Sequence, residues 1–288
     1  MTQPSDLELI ECPRDAMQGW GKHIATDIKI KYLNALLKVG FNCIDFGSFV
    51  SHQAVPQMAD TVEVVQNLDW KESTSQLLAI VANERGAREA ASWEAIAYLG
   101  YPFSISETFQ MRNTRRSIAD SLEVVKRIQD ICIQRKKYLV IYISMGFGNP
   151  YGDPYDPAIV LQWIEKLSAL GVSVISLADT VGVADPEDIS ELFSILIPSY
   201  PHIKFGAHFH SAPQDWEEKV AAAYEHGCRR FDSAINGIGG CPMAEDELVG
   251  NIATENIVAF MHQRRAHLSL DRLAFAQARK LAGEVFQL

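Results

Sequence analysis

The 288-residue sequence contains no long hydrophobic run and no cluster of basic residues. Its longest apolar stretch, near residues 138–143, is far shorter than the ~18 residues that a membrane-spanning helix needs. Lys and Arg number 26 against 36 Asp and Glu, for a net charge of −10, which disfavours nucleic acids and membranes as partners. A small anionic substrate remains compatible, because the local charge of a pocket decides its binding.

Signals for export and for disulfide formation are also missing. The first six residues lack the basic region of a signal peptide and the Arg-rich pattern of a transit peptide. The cysteines are widely spaced, form no CxxC pair and are five in number: Cys12, Cys43, Cys132, Cys228 and Cys241. These features predict a cytoplasmic protein with free thiols and no structural zinc site.

What the sequence does contain is an alternation of short apolar runs with amphipathic stretches. The apolar runs predict eight strands: Leu7–Cys12, Cys43–Ser48, Leu77–Ala82, Phe103–Ser106, Leu139–Ser144, Val172–Ala178, Lys204–His208 and Arg230–Ile235. The stretches between and after them predict eight helices: Asp27–Val39, Val55–Leu68, Ala87–Leu99, Ile118–Arg135, Ala158–Leu170, Pro186–Ile197, Ala212–His226 and Asn251–His262.

This order of elements predicts a closed parallel (β/α)8 barrel, or TIM barrel, for which about 250 residues are typical. An open doubly wound sheet is the alternative, but the GxGxxG turn that would favour it does not follow the first strand. Residues Leu270–Val285 predict one extra C-terminal helix. The whole chain, residues 1–288, is predicted to form a single domain.

In a barrel of this kind the active site lies at the C-terminal ends of the strands. Polar residues and a glycine-rich stretch concentrate at the predicted ends: Arg14, Asp15, Asp45, Asp179, His208, His210 and Gly237–Pro242 with Cys241. His208 and His210 are two apart on a strand and therefore point to the same face. With Asp15 from the neighbouring strand, they predict a divalent-cation site, for Mg²⁺ or Mn²⁺ with Zn²⁺ as the alternative.

Several of these residues also have a simpler structural interpretation. Arg14 either forms a salt bridge at the barrel rim or stabilises oxyanion charge. Asp45 and Asp179 are either structural acids or part of the chemistry. Cys241 is either an inert buried thiol or an acid/base group on a glycine-rich loop. Asn251 either caps the last helix or supplies a fourth metal ligand through its amide oxygen.

Six collinear motifs resemble those of the hydroxymethylglutaryl-CoA lyase family. Residues 11–18 resemble its PRDGLQ opening, and residues 48–60 resemble its SFVSPKWVPQM segment. The family's LGDTIG strand and HCH pair have counterparts at residues 176–182 and 208–210. Residues 237–242 are similar to its GLGGCP loop, and residues 250–255 to GNLATED. The resemblance implies membership of a superfamily of metal-dependent TIM-barrel lyases, aldolases and Claisen-condensing synthases.

Residue by residue, the resemblance implies that the metal ligands are Asp15, His208, His210 and Asn251. It implies that Arg14 and Asp179 are catalytic and that Cys241 is an acid or base carried by its loop. The strand 2 carboxylate, a glutamate in the family, is Asp45 here. Other differences concern residues expected to face the substrate: His52-Gln53-Ala54 for Pro-Lys-Trp, Asn149 for a cysteine, and Ser211 for an aspartate.

The activity implied by the resemblance is retro-Claisen cleavage of a 3-hydroxyacyl-CoA. Its substrate would be hydroxymethylglutaryl-CoA, giving acetyl-CoA and acetoacetate, or a close analogue, with a place in leucine degradation. The general base remains open among Asp15, Asp45, Asp179 and His208. A homodimer or another homo-oligomer is expected. The alternatives are a condensing synthase or aldolase on the same barrel, and a metal-binding barrel without turnover.

Overall fold

Eight parallel strands form a closed barrel in the computed structural model, which describes residues 7–240 and 249–287. Each strand pairs in parallel with the next, and the first pairs with the eighth through Glu8↔Arg230 to Glu11↔Ser233. The predicted TIM barrel is therefore confirmed. The strands are β1 Glu8–Glu11, β2 Cys43–Ser48, β3 Gln76–Ile80, β4 Ile96–Ser104, β5 Tyr138–Ser144, β6 Val174–Asp179, β7 Lys204–Ser211 and β8 Arg230–Ser233.

Helices surround the barrel and alternate with its strands. They are α1 Pro13–Gln18, α2 Thr26–Leu37, α3 Thr61–Gln66, α4 Glu84–Ala91, α5 Glu107–Thr114, α6 Ile118–Arg135, α7 Pro157–Ala169, α8 Pro186–Ser199, α9 Trp216–Glu225, α10 Thr254–Gln263 and α11 Arg272–Phe286. The extra C-terminal helix, α11, is confirmed. Its Phe286 makes edge contacts with Trp20 and with Tyr32 of α2.

The predicted helix Ala87–Leu99 is wrong in its second half. Helix α4 begins after Asn83, whose side chain accepts a hydrogen bond from Gly86 N, and it ends at Ala91. Residues Ile96–Ser104 instead form the longest strand, β4. Its Leu99, Tyr101 and Phe103 alternate along the strand and are fully buried. Pairing with β3 and β5 therefore outweighs the helical spacing of the local apolar residues.

The predicted helix start at Asn251 is also wrong. Gly250–Asn251 form a short strand, β9, that pairs antiparallel with the end of β7, with His210 opposite Asn251. Helix α10 begins three residues later, at Thr254. The N-cap interpretation of Asn251 is thus excluded, and this residue is brought to the end of the strand that carries both histidines.

One apolar layer lies on each side of the strands. The larger one fills the space between barrel and helices, and the smaller one, inside the barrel, consists of Ile10, Cys12, Cys43, Leu78, Val140, Tyr142 and Val174. Cys12, Cys43, Cys132 and Cys228 are buried free thiols, as predicted. Within residues 7–240 and 249–287, no helix is long and apolar enough to cross a membrane.

Candidate metal and active site

Asp15, His208 and His210 meet at the C-terminal mouth of the barrel. One potential ligand atom from each residue lies within 4.8 Å of the others. Strand β7 carries both histidines on one face, and Asp15 lies in the first turn of α1, directly after β1. The three side chains converge as the sequence predicts, but Asp15 does not follow the strand next to β7, because β8 lies between β7 and β1.

Asp15 is held as an anion by its neighbours. Its Oδ1 accepts hydrogen bonds from Arg14 Nη1 at 2.9 Å and Gln18 Nε2 at 3.1 Å, and its Oδ2 accepts one from Asn251 Nδ2 at 2.8 Å. Burial alone would raise the pKa of Asp15, but Arg14 and the two histidines outweigh it and lower the pKa to about 2. The carboxylate is therefore ionised throughout the physiological range, as a cation ligand must be.

The two histidines differ in their surroundings. His208 Nδ1 lies 3.1 Å from Asp232 Oδ2. Burial lowers the pKa of His208, but its hydrogen bond to Asp232 and the charge of that residue outweigh burial and raise it above the ordinary value. Burial and the neighbouring His208 lower the pKa of His210 to about 4. His210 is therefore neutral at pH 7, the form in which imidazole binds a cation.

These residues fit a divalent cation. The buried Nδ1 of His210 has no hydrogen-bond partner in the described part of the chain, although buried polar atoms are normally paired. An anionic oxygen and imidazole nitrogens, without a thiolate, form the donor set. A second group, Cys12, His208 and Asp232, is equally close together. Arg230 Nη1 donates a hydrogen bond to Asp232 Oδ1 at 2.8 Å. Because this guanidinium already balances the carboxylate charge, we interpret the second group as a hydrogen-bond network and not as a metal site.

The glycine-rich segment before residue 241 packs directly on this site. Asn251 Nδ2 donates to Ile238 O at 2.9 Å as well as to Asp15. A Cβ atom at Gly239, whose φ is +102°, would lie 2.6 Å from Asn251 Nδ2 and 2.9 Å from Asp15 O. Only glycine tolerates both this conformation and this approach. Cys241, the next predicted site residue along the chain, lies outside the described residues.

Arg14 and Asp45 form a buried pair beside the metal ligands. Arg14 Nε donates to both Asp45 oxygens, at 3.2 and 3.0 Å, and Arg14 Nη2 makes a further short contact with Oδ2. Burial raises the pKa of Asp45 to about 6, although Arg14 opposes this effect. Asp15 and Asp45 thus have pKa values on opposite sides of the ordinary range, an arrangement that separates a permanent anion from an acid/base group.

Asp179 occupies the end of β6 and organises the turn that follows. It accepts hydrogen bonds from Val183 N at 2.9 Å, Ala184 N at 3.2 Å and Lys219 Nζ at 2.7 Å. Lys219 also donates to Gly182 O at 2.9 Å and to His210 O at 3.4 Å. Burial raises the pKa of Asp179, against the opposing charge of Lys219.

Sequence reasoning missed three buried charged residues that surround the predicted site residues: Lys219, Arg230 and Asp232. Lys219 lies next to Val220 on the buried face of α9, and a lysine in that position is a weak signal of a buried ion pair. Arg230 and Asp232 are two apart on β8 and hence share a face. Two charged residues on one face of a barrel strand could therefore have predicted a buried polar network.

A cleft of about 360 Å³ opens next to the end of β2. Its wall contains Ser48–Gln53, part of the segment that resembles SFVSPKWVPQM, and Arg85 and Glu89 of α4. The cleft therefore includes His52 and Gln53, where the sequence departs from the family motif.

Fold and site together define a TIM barrel with a candidate cation site at its C-terminal mouth. The HMGL-like family model matches residues 8–282, and the chain belongs to this family. A hydroxymethylglutaryl-CoA lyase of Bacillus subtilis is 31% identical over 282 residues, covering 96% of this chain and 92% of that protein. A 3-hydroxy-3-isohexenylglutaryl-CoA/hydroxymethylglutaryl-CoA lyase of Pseudomonas aeruginosa is 30% identical, covering 96% and 92%.

Solved structures give the same result. The HMG-CoA lyase of Acinetobacter baumannii, in complex with coenzyme A and 3-methylmalate, has a TM-score of 0.91 and 31% identity to this chain, covering 100% of this chain and 93% of that one. The predicted family is therefore confirmed, and its named relatives are carbon–carbon lyases.

Proposed function

We propose that the protein is a divalent-metal-dependent lyase that cleaves the C2–C3 bond of a 3-hydroxyacyl-CoA. The observation that carries this proposal is the meeting of Asp15, His208 and His210 beside the Arg14–Asp45 pair, at the mouth of a barrel of the HMGL-like family. Hydroxymethylglutaryl-CoA, giving acetyl-CoA and acetoacetate, is the first candidate substrate.

Asp15, His208 and His210 would hold the cation, with Asn251 contributing its amide oxygen. The donors favour Mg²⁺ or Mn²⁺, with Zn²⁺ as the alternative. A divalent cation bound there supplies a Lewis acid that makes the 3-hydroxyl of the substrate more acidic.

Asp45 is the best candidate for the general base. The ideal catalytic pKa lies near the working pH, and Asp45 titrates close to neutrality whereas Asp15 does not. Asp45 takes the proton of the 3-hydroxyl, the C2–C3 bond breaks, and its electron pair leaves with the thioester fragment as an enolate. The other fragment keeps the oxygen as a new carbonyl.

Arg14 and Cys241 complete this scheme. Arg14 is fixed by Asp15 and Asp45, so its guanidinium is oriented before charge develops on the enolate oxygen, which is the condition for effective electrostatic stabilisation. Cys241 donates the proton that converts the enolate carbon into a methyl group. We propose that Asp179 acts indirectly, by holding the turn of residues 180–184 in place at the same barrel mouth.

The acyl group is the least determined part of the substrate. The P. aeruginosa relative is named for substrates with a methyl group and with an isohexenyl group, so both are natural test substrates. The coenzyme A seen with the A. baumannii enzyme supports a thioester of this carrier. The homo-oligomer, the cytoplasmic location and the place in leucine degradation remain predictions.

The test is turnover of a panel of 3-hydroxyacyl-CoA thioesters with Mg²⁺ or Mn²⁺, including both of these substrates. We expect metal-dependent release of acetyl-CoA from at least one of them, abolished by chelation. Condensation of acetyl-CoA with an oxo acid, without cleavage of any thioester in the panel, would identify a synthase instead. Tight metal binding without either reaction would identify a barrel without turnover.

A further inference from the structure

A chain of charged side chains lies inside the barrel, directly beneath the candidate metal site. Asp232 of β8 lies opposite His208 of β7 in the sheet register, and its Oδ2 is 3.1 Å from His208 Nδ1. Its other oxygen, Oδ1, accepts a hydrogen bond from Arg230 Nη1 at 2.8 Å. Asp232 and Arg230 are 3% and 4% exposed, so water does not screen these contacts.

Arg230 is itself held in place by a residue two strands away. Its Nη1 also donates to Ser176 Oγ of β6 at 2.9 Å. Strand β7 lies between β6 and β8, and Gly206 of β7 is paired with Ser176. A Cβ atom at Gly206 would lie 2.6 Å from Ser176 Oγ and 3.0 Å from Arg230 Nη1. Because Gly206 has no side chain, Arg230 has the space to reach Ser176.

We propose that Asp232, fixed by Arg230, is a positioning residue that orients His208 for the cation. Because a carboxylate accepts hydrogen bonds, Asp232 selects the form of His208 that carries its proton on Nδ1. The lone pair of a neutral ring is then on Nε2, the nitrogen left for the metal. The inference deepens the proposed function, on which it rests, and names two residues, Asp232 and Arg230, that act through His208.

The charges of Arg230 and Asp232 balance each other inside the barrel. A bare carboxylate inside the barrel would be costly to bury, and it would compete with Asp15 for the cation. Arg230 neutralises Asp232 and occupies its second oxygen. Asp232 is thereby left as a fixed acceptor for His208. Among the described residues, His208 is the histidine of the pair that a carboxylate holds in this way, whereas His210 interacts with the backbone of Gly250.

The first experiment uses the metal-free wild-type protein and does not depend on activity. Nitrogen-15 NMR of the histidine rings at pH 8 distinguishes the two neutral forms of His208, assigned with the His208→Gln variant. We expect the proton on Nδ1. A neutral His208 with its proton on Nε2 would overturn the proposal. Because the measurement uses the wild-type protein, it does not depend on whether a variant of Asp232 folds.

The second experiment measures Mn²⁺ affinity by calorimetry in Asp232→Asn. Loss of a partner behind a metal-bound histidine typically costs about 10–100-fold in affinity, and we expect a loss in that range together with a change of the His208 signals. Tyr142→Phe is the matched control. Its ring contacts His208 at 5.3 Å between centroids, but its buried hydroxyl has no partner among the described residues.

Two results separate the possible roles. If Asp232→Asn lowers the melting temperature but leaves Mn²⁺ affinity and the His208 signals as in wild type, the Arg230–Asp232 pair is purely structural and the proposal is wrong. If wild type binds Mn²⁺ with the expected His208 form but cleaves no thioester, the proposed lyase function fails and the positioning role stands.

Discussion

Lys219 and Asp179 form a buried ion pair in which Nζ lies 2.7 Å from Oδ2, with side chains 6% and 1% exposed. The same ammonium reaches Gly182 O and His210 O. Lys219 thus joins three features of the barrel mouth: the end of β6, the turn after it and the strand that carries the histidines. A single side chain on α9 therefore fixes two neighbouring strand ends relative to each other.

We predict that Lys219→Met destabilises the protein strongly. Removing one partner of a buried pair leaves the other charge uncompensated and typically costs about 3–5 kcal/mol. Lys204→Met is the control, since its partner Glu8 and Lys204 itself are partly exposed, and exposed pairs contribute about 0.2–1 kcal/mol. Urea unfolding measures both. In the double variant Lys219→Met/Asp179→Asn, part of the loss should be recovered, and strictly additive effects would exclude the coupling.

A second prediction concerns the cation ligands. His210→Ala should lower Mn²⁺ affinity more than about 100-fold, because loss of a direct ligand exceeds the 10–100-fold typical of residues behind a ligand. The control is His202→Ala, an exposed histidine whose Nε2 lies 3.0 Å from Ser168 Oγ. Calorimetry with Mn²⁺ compares the variants. Equal affinity in wild type and His210→Ala would place the cation elsewhere.

The local part of this site could be predicted from the sequence. The spacing of His208 and His210 needs only the geometry of a strand, and closure of the barrel brings Asp15, which follows β1, to the same mouth with only β8 between β1 and β7. Helix α6 has the predicted bounds, Ile118–Arg135, because both ends are set locally. Ser117 accepts from Asp120 N, and Lys136 takes the left-handed conformation that ends the helix.

The partners of these residues could not be predicted in the same way. Asp232 is 24 residues from His208, and Lys219 is 40 residues from Asp179, so their contacts exist only once the barrel closes. The error at residues 96–99 has a similar cause. The helical spacing of the preceding alanines continues into that segment, but pairing with two neighbouring strands decides its structure.

A third prediction concerns the pH dependence of turnover. Asp45 has a pKa raised to about 6 by burial, and a general base acts only when ionised. We expect kcat/KM for the cleaved thioester to fall about tenfold per pH unit below pH ~6. Asp45→Asn should lower kcat at pH 7 and abolish this acid limb, whereas Asp45→Glu should keep the limb. If the acid limb persists in Asp45→Asn, another group is the base.

A fourth prediction concerns Cys241. Cys241→Ser should fold normally and bind Mn²⁺ normally but turn over much more slowly, because a hydroxyl is a far weaker acid than a thiol. Iodoacetamide labelling of the native protein isolates this residue, since the other four cysteines are buried. A substrate analogue should slow the labelling. Rapid labelling without protection, together with normal turnover of the serine variant, would reject the proton-donor role.

A fifth prediction concerns Glu11, a fully buried carboxyl at the end of β1. It accepts hydrogen bonds from Ile235 N at 2.9 Å and Thr254 Oγ1 at 2.6 Å. Glu11 therefore ties β1 to the residues on both sides of the glycine-rich segment. Burial raises its pKa from 4.5 to about 8, against the opposing effect of these two hydrogen bonds.

Stability should consequently fall as the pH rises from about 4.5 to about 8. Over this window the folded protein keeps the proton of Glu11 while the unfolded chain loses it, so the folded state binds more protons and the free energy of unfolding decreases with pH. Glu11→Gln cannot ionise, and its amide can still bond to Ile235 N and Thr254 Oγ1, so the slope should be smaller. Thr254→Val removes a donor to the ionised form and should extend the loss of stability to higher pH. Urea unfolding at half-unit pH steps gives the slopes, and an unchanged slope in Glu11→Gln would show that Glu11 is ionised in the folded protein at neutral pH.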